Sequence, residues 1–341
     1  IRLMPINKKV DLAAEVKTRD DVPYKSFYSH NEENASPGYY SVQLKDFNIK
    51  AELTSNLRTG FHKYTFAEND TQSVVIDLGF AINWDKTTAS KISVIDAATI
   101  SGFRHSTGWA KNQKVFFVAR FSKPIEKYEL VNDGNYKSDV ATVEGKKAFA
   151  QLYFNSENNN ELLVKVVVSS VSEVNALENL SKEEISFETV KNKASEIWNE
   201  NLTNITIETD NEDLKTIFYT ALYHTQVAPV TFSDVNNEFR KENDKIVKAE
   251  NYTAYSTLSL WDTFRAEHPS LTITAQDKVA DIINTILEYY QTNKILPVWT
   301  LYGNETNTMT GYHSIPVIAE AYIKGIKGFD INKAYEAMKT T

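Results

Sequence analysis

The sequence has 341 residues, 37 of them basic and 45 acidic, with a net charge of −8 and no cysteine. That length fits two domains rather than one, and a chain of this size buries roughly 75% of its unfolded surface without needing cross-links. The missing cysteines exclude disulfides and thiolate metal sites without identifying a compartment, the absence of a Lys/Arg run excludes a nucleic-acid phosphate footprint, and no stretch reaches the ~20 apolar residues of a membrane-spanning helix.

Ile1 opens inside a strand-like apolar run (Ile1, Leu3, Met4) with neither an initiating Met nor a signal peptide, so further residues are expected in front of it. Alternation then marks short strands: Tyr40, Val42 and Leu44, followed by Ile49, Ala51 and Leu53. Apolar runs follow at Val74–Leu78, Ile92–Ile95, Val115–Phe121, Ala148–Phe154 and Leu162–Val168, separated by turn signals such as Pro37-Gly38 and Asp133-Gly134-Asn135. Many strands at near-regular spacing with no helical pattern between them predict a β-sandwich over residues 1–180. The 18 Tyr, 17 Phe and 5 Trp suit either a β-rich core or sugar-stacking surfaces, and composition does not choose.

Near Ser181 the period changes. Phe187, Val190, Ala194, Ile197 and Trp198 share one helical face, which predicts a linker helix within a connection spanning 181–209 that ends in a strand-like Ile205-Thr206-Ile207. From Asp210, a candidate N-cap, Leu214, Ile217, Phe218, Ala221, Leu222 and Thr225 form an apolar face up to the break at Pro229. The same spacing recurs at Val279, Ile282, Ile283, Ile286, Leu287 and Tyr290. A third helix is expected over Ile315–Lys324, ending at Gly325, and a fourth after Asp330, cut off at Thr341. Six helical hairpins would need twelve helices of about 11–12 residues plus loops. Residues 210–341 cannot supply them, so this region reads as an incomplete helical barrel or a small bundle.

Four segments could carry chemistry. Residues 255–269 (YSTLSLWDTFRAEHP) join an aromatic, a carboxylate and a guanidinium; Trp261 beside Asp262 suits a pyranose, whose C–H face meets the indole while its hydroxyls donate to the carboxylate. A buried Trp with Asp262 capping the next helix fits the same string. Residues 296–314 (LPVWTLYGNETNTMTGYHS) are a polar loop between helices, fit either for binding or for closing its own turns. Gly102–Ala110 is either a hairpin turn with an exposed Trp109 or a loop that reaches the second domain. SPGYYSV at 36–42 and GFHKY at 60–64 read as structural. No phosphate loop, nucleophile elbow or His-x-x-x-His spacing occurs, and the six His are scattered. His224 reads as a core or boundary residue.

With SLWDTFRAEHP, LPVWTLYGNETNTMTGYHSIPVIAEAYIKG and SGFRHSTGWAKNQKVFFVARFSKP in view, the sequence resembles glycoside hydrolase family 92, the exo-acting α-mannosidases, and it does so along essentially its whole length. The resemblance implies a β + α multidomain fold: an N-terminal β-sandwich followed by the first helices of an (α/α)6 barrel, with the family's pocket at their interface. It implies calcium-dependent, inverting release of terminal mannose from N-glycans or mannans, a mannose-containing glycan as partner, and an extracytoplasmic location (periplasmic, cell-surface or secreted) inferred from that substrate. By resemblance, Trp261 and Asp262 match the pair lining the terminal-mannose subsite, and Asn304, Glu305, Asn307 and His313 match the nearby loop in a binding role. The catalytic acid and base, and the main Ca2+ ligands, are expected beyond Thr341. The 341 residues alone are therefore expected not to turn over. Thr308 stands where family members often carry Cys. A non-catalytic carbohydrate-binding or interaction module is the alternative, and another sandwich-plus-barrel glycosidase, phosphorylase or lyase the third reading.

Overall fold

The computed structural model describes residues 1–16, 18–82, 84–156, 159–180 and 186–341. They form two compact units, one of Ile1–Gly108 with Lys114–Trp198 and one of Trp109–Gln113 with Asn199–Thr341. The boundary expected at Ser181 lies outside the described residues.

The first unit is built from β1 (Arg2–Ile6), β2 (Glu33–Ser36), β3 (Tyr39–Leu44), β4 (Ile49–Ser55), β5 (Thr59–Thr65), β6 (Gln72–Asp77), β7 (Lys86–Asp96), β8 (Thr99–Thr107), β9 (Gln113–Phe121), β10 (Ile125–Asn132), β11 (Asn135–Lys137), β12 (Thr142–Gly145), β13 (Ala148–Phe154) and β14 (Glu161–Ser169). One sheet has the order β1-β6-β13-β10-β11, the other β12-β7-β8-β9-β14-β5-β4-β3-β2. Inward residues of both sheets meet in one core that includes Ile49, Tyr64, Val74, Ile76, Ile92, Ile100, Phe117, Leu152 and Val164. This is the sandwich that alternation predicts. Strand β6 is buried at all six positions, on both faces. Its polar side chains are satisfied there: Ser73 Oγ donates to the Ile6 carbonyl, and Gln151 of β13 donates to Ser73 and the Lys8 carbonyl while accepting from Val10 N–H. Buried polar groups need such partners, and this network ties the N-terminal segment onto the sheet.

Residues Phe103–Thr107 lie inside β8, with Phe103 opposite Lys91 of β7, so the turn expected over Gly102–Ala110 starts later, at Gly108, between the neighbouring strands β8 and β9, and Trp109 in it is 43% exposed as the hairpin reading expects. Helix α1 (Glu173–Asn179) starts at Ser172, whose side chain accepts from Asn175 N–H, and Ala176 and Leu180 pack on Val118 and Val167. Helix α2 (Phe187–Leu202) buries Phe187, Val190 and Ala194, the first two with Phe61, whereas Ile197 of the predicted face is exposed. Gly38 makes the close approach possible: its φ is +81°, and a Cβ there would stand 2.9 Å from Ala194 Cβ.

The second unit holds α3 (Glu212–His224), α4 (Leu260–Thr263), α5 (Glu267–Thr274), α6 (Gln276–Asn293), α7 (Ser314–Ile323) and α8 (Ile331–Thr340). Val279, Ile282, Ile283, Ile286 and Leu287 of α6 pack with Val317, Ile318 and Ala321 of α7 and Ala334 and Ala337 of α8. Asp330 caps α8 by accepting from Asn332 and Lys333 N–H.

Three expectations are corrected. The cap of α3 is Asn211, which accepts from Leu214 N–H while its own N–H is held by Thr209 Oγ1, rather than Asp210. The apolar face of α3 is not buried among the described residues, with Leu214 55% and Ile217 64% exposed. Ile205-Thr206-Ile207 forms no strand, because no described segment pairs with it. The helix expected after Asp262 is α5, but it starts at Glu267 and Asp262 does not cap it.

Candidate functional site

A small sheet in the second unit joins two of the segments picked out from the sequence. Leu258–Ser259, Trp299–Leu301 and Asn304–Glu305 form three adjacent strands, with Ser259 opposite Trp299 and Leu301 opposite Asn304. The turn between the last two is Tyr302-Gly303, both at positive φ (47° and 80°), as a two-residue primed hairpin turn requires. Tyr302 N–H donates to Ser256 Oγ at 2.8 Å. Gly303 cannot be replaced without movement, since a Cβ would lie 2.3 Å from the Arg240 carbonyl oxygen.

Glu305 is 8% exposed, and its carboxylate accepts from three backbone N–H groups: Val298 at 2.8 Å, Trp299 at 3.1 Å and Asn307 at 2.7 Å. Burial pushes its carboxyl above the usual range, and these bonds oppose that shift. Its position is that of a loop organiser. Asn304, 7% exposed, holds the short Trp109–Gln113 segment of the same unit: its Oδ1 accepts from Asn112 N–H at 3.0 Å, and its Nδ2 donates to the Asn112 carbonyl at 3.0 Å and the Tyr302 carbonyl at 3.0 Å. Asn112 Nδ2 donates in turn to Asp244 Oδ1 at 3.0 Å. Trp109, in the same short segment, donates its indole N–H to Thr308 Oγ1 at 2.7 Å and packs at a tilt of 41° against buried Trp299, 4.6 Å between centroids. Thr308 Oγ1 also lies 3.0 Å from Thr306 Oγ1, whose single hydroxyl hydrogen is shared with the Trp299 carbonyl at 3.0 Å.

Trp261 and Asp262 lie within α4, just past the paired Ser259. Trp261 is 41% exposed and Asp262 is exposed, so neither belongs to the core. Ser259 Oγ donates to Asp262 Oδ2, which orients the carboxylate. Asn307 is exposed, with φ +50°. The His313 ring packs at a tilt of 35° against Phe264, 4.1 Å between centroids, and its Nδ1 is buried with no hydrogen-bond partner among the described residues. The structure thus brings Asn304, Glu305 and the strand entering Trp261-Asp262 into one sheet. It joins His313 to the same segment through Phe264, and leaves Asn307 at the surface of its loop.

Two further residues stand out. Glu267, the first residue of α5, has a buried Oε1 without a partner among the described residues, and burial pushes its carboxyl up to about 7. His268 beside it is buried, which pulls its imidazole down to about 4 and keeps it neutral. Neither is marked by the sequence, because an acid followed by His-Pro reads the same whether it is exposed or enclosed. Trp109 and Asn112 were visible only as a polar loop tip. Chemically, a half-exposed indole followed in the chain by an oriented carboxylate suits a ring that carries a C–H face and hydroxyl groups.

The glycosyl hydrolase family 92 N-terminal domain model matches residues 1–169, and the family's catalytic domain model matches residues 175–341. A family GH92 α-mannosidase from Bacteroides thetaiotaomicron is 36% identical, with a TM-score of 0.94, over 99% of this chain and 47% of that one. A second structure of it, in complex with mannoimidazole, gives the same identity and TM-score over 99% of this chain and 46% of that one. A family GH92 inverting mannosidase from Bacteroides thetaiotaomicron VPI-5482 shares the fold at 24% identity and a TM-score of 0.86, over 99% of this chain and 44% of that one. The chain therefore spans about half the length of the structures it matches. No curated protein matches it. With both domain models placed end to end along it and one fold shared throughout, the chain belongs to glycosyl hydrolase family 92.

Proposed function

We propose that the protein is an exo-acting, calcium-dependent α-mannosidase that removes the terminal non-reducing mannose of N-glycans or mannans with inversion at the anomeric centre. The observation that carries this reading is the 36% identity, across 99% of the chain, to an α-mannosidase solved with mannoimidazole. The exposed Trp261 beside the Ser259-held Asp262 supports it from within this chain. In this reading Trp261 stacks on the mannose ring and Asp262 accepts from its hydroxyls, while Asn304 and Glu305 hold the supporting loop, with Asn307 and His313 on that loop available for sugar contacts.

Inversion needs a carboxylic acid that protonates the leaving oxygen and a carboxylate that activates water on the opposite face, about 6.5–9.5 Å apart. The reading places both beyond Thr341. Among the described residues no group of three or more His, Cys, Asp or Glu side chains is placed to hold a metal ion. These residues therefore do not fit a carboxylate cage for calcium, a hard cation that takes six to eight oxygen ligands. The substrate class puts the enzyme outside the cytoplasm, in the periplasm, at the cell surface or secreted.

The test is hydrolysis of an aryl α-mannoside by the full-length protein, with calcium and after chelation, the first-formed mannose anomer being followed by NMR. Calcium-dependent release of β-mannose is expected. Failure to release mannose, or release of the α-anomer, would refute the reading. A mannoside that binds without being cleaved would instead point to a carbohydrate-binding module.

A further inference from the structure

Ser259 stands where the chain leaves the small sheet and enters α4, and its backbone is held from both sides. It lies opposite Trp299 in the sheet, its carbonyl accepts from Thr263 Oγ1 at 3.0 Å, and its neighbours Leu258 and Leu260 are buried in the core of the second unit. Two residues earlier, Thr257 has a φ of +64°, an outlier for a β-branched residue. That bend passes the chain from Ser256, paired with Val230, to Leu258, paired with Thr300, and the two ladders hold it there. Ser259 also immediately precedes α4, the position where a serine side chain ordinarily accepts from a backbone N–H of the first turn. Its side chain makes no such cap. The hydroxyl donates to Asp262 Oδ2 instead, and no other side chain among the described residues bonds that carboxylate.

We propose that Ser259 is a positioning residue, whose hydroxyl fixes the Asp262 carboxylate in the orientation that receives the sugar hydroxyls. This rests on the mannosidase reading above. Asp262 is exposed, so without a partner its side chain turns among several rotamers in water. A ligand that needs one of those rotamers must first immobilise the side chain, which lowers affinity by about two- to tenfold. Ser259 removes that penalty in the free protein. A hydrogen bond to a charged acceptor is among the stronger kinds, and here its donor sits on fixed backbone. The serine hydroxyl has a single hydrogen, directed at Oδ2, and an ionised carboxylate has about four acceptor sites, so the others stay open to sugar hydroxyls.

The test is calorimetric titration of the full-length protein with methyl α-mannopyranoside, together with the thermal midpoint of each variant. Wild type is compared with Ser259→Ala, Ser259→Thr, Asp262→Ala and the variant carrying both alanine substitutions. S259A should bind about two- to tenfold more weakly, with an unchanged thermal midpoint because no helix cap is lost. S259T keeps the hydroxyl and should bind like wild type. The double variant should bind like D262A, since Ser259 has nothing to position once the carboxylate is gone. S259A binding like wild type, S259T binding like S259A, or an alanine effect that persists in full on the D262A background overturns the proposal and leaves the mannosidase reading in place. If wild type binds no mannoside, or D262A binds as tightly as wild type, the assignment of Asp262 to the sugar site fails, and the proposal falls with it.

Discussion

Glu305 gives the sharpest quantitative test of how the site loop is held. Its carboxylate accepts from the Val298, Trp299 and Asn307 N–H groups, and the residue is 8% exposed. Truncation to alanine leaves those donors enclosed without an acceptor, at about 1–3 kcal/mol for each that water cannot reach. Asn307 lies at the exposed end of the loop and regains water, whereas Trp299 is buried at the centre of its small sheet. Counting one donor fully lost and a second partly lost gives about 4 kcal/mol. The substitution also removes a carboxyl whose burial is unfavourable, as its upward shift shows, and this offsets part of the loss. Glu305→Ala is therefore expected to cost about 3 kcal/mol. Glu305→Gln keeps one acceptor oxygen but sets an amide N–H2 against a backbone donor, and should cost about 1–2 kcal/mol. Urea unfolding of the full-length protein measures the loss, and amide exchange at Val298, Trp299 and Asn307 locates it. A Glu305→Ala loss below about 1 kcal/mol with unchanged exchange at those amides would refute this account.

Three other outcomes follow from the same geometry. Gly303→Ala adds a Cβ 2.3 Å from the Arg240 carbonyl at a φ of +80°, so clash and strain together should cost at least about 2 kcal/mol, and an unchanged thermal midpoint would contradict it. Trp261→Ala and Asp262→Ala remove exposed groups, so stability should hold within about 0.5 kcal/mol while mannoside affinity falls tenfold or more; unaltered binding would remove the pair from the site. Glu267 titrates higher in the folded protein than in the unfolded chain, so its contribution to stability is complete below its unfolded value of about 4.5 and is lost as pH rises toward about 7. The thermal midpoint of Glu267→Gln should therefore gain on wild type across that window and level off above it; parallel curves would mean that the carboxyl is not buried in solution.

The fold was legible wherever one periodicity dominated. Val74–Leu78 and Leu162–Val168 are strands because continuous β-branched runs are satisfied only by a doubly covered or alternating sheet position, and Val279–Tyr290 is a helix because its apolar residues return every three or four places. Local composition misled where the deciding term lay elsewhere. Gly102 and Gly108 look like turn punctuation, yet Gly102 sits opposite Ile92 in the longest strand pair of the sandwich. Ile205-Thr206-Ile207 has strand propensity but no ladder partner among the described residues. For α3, the amphipathic period does predict a helix, but whether its apolar face is covered depends on what packs against it, which no period records.

The candidate site was legible in a different sense: its residues could be recognised as a string before their physical roles could be read. Within GNETN, Asn304 and Glu305 spend their side chains on the backbone of Asn112, Tyr302, Val298, Trp299 and Asn307, so the two most polar letters of that string frame a loop. Asp262 is the reverse case. It could have capped the following helix, but α5 begins after Ala266 with no side-chain cap, and Ser259 holds the carboxylate at the surface instead. Polarity in a sequence marks where hydrogen bonds are needed without saying whether the chain or a ligand supplies the other half. That distinction turns here on Asp262, whose carboxylate takes one hydrogen bond from Ser259 and is otherwise exposed.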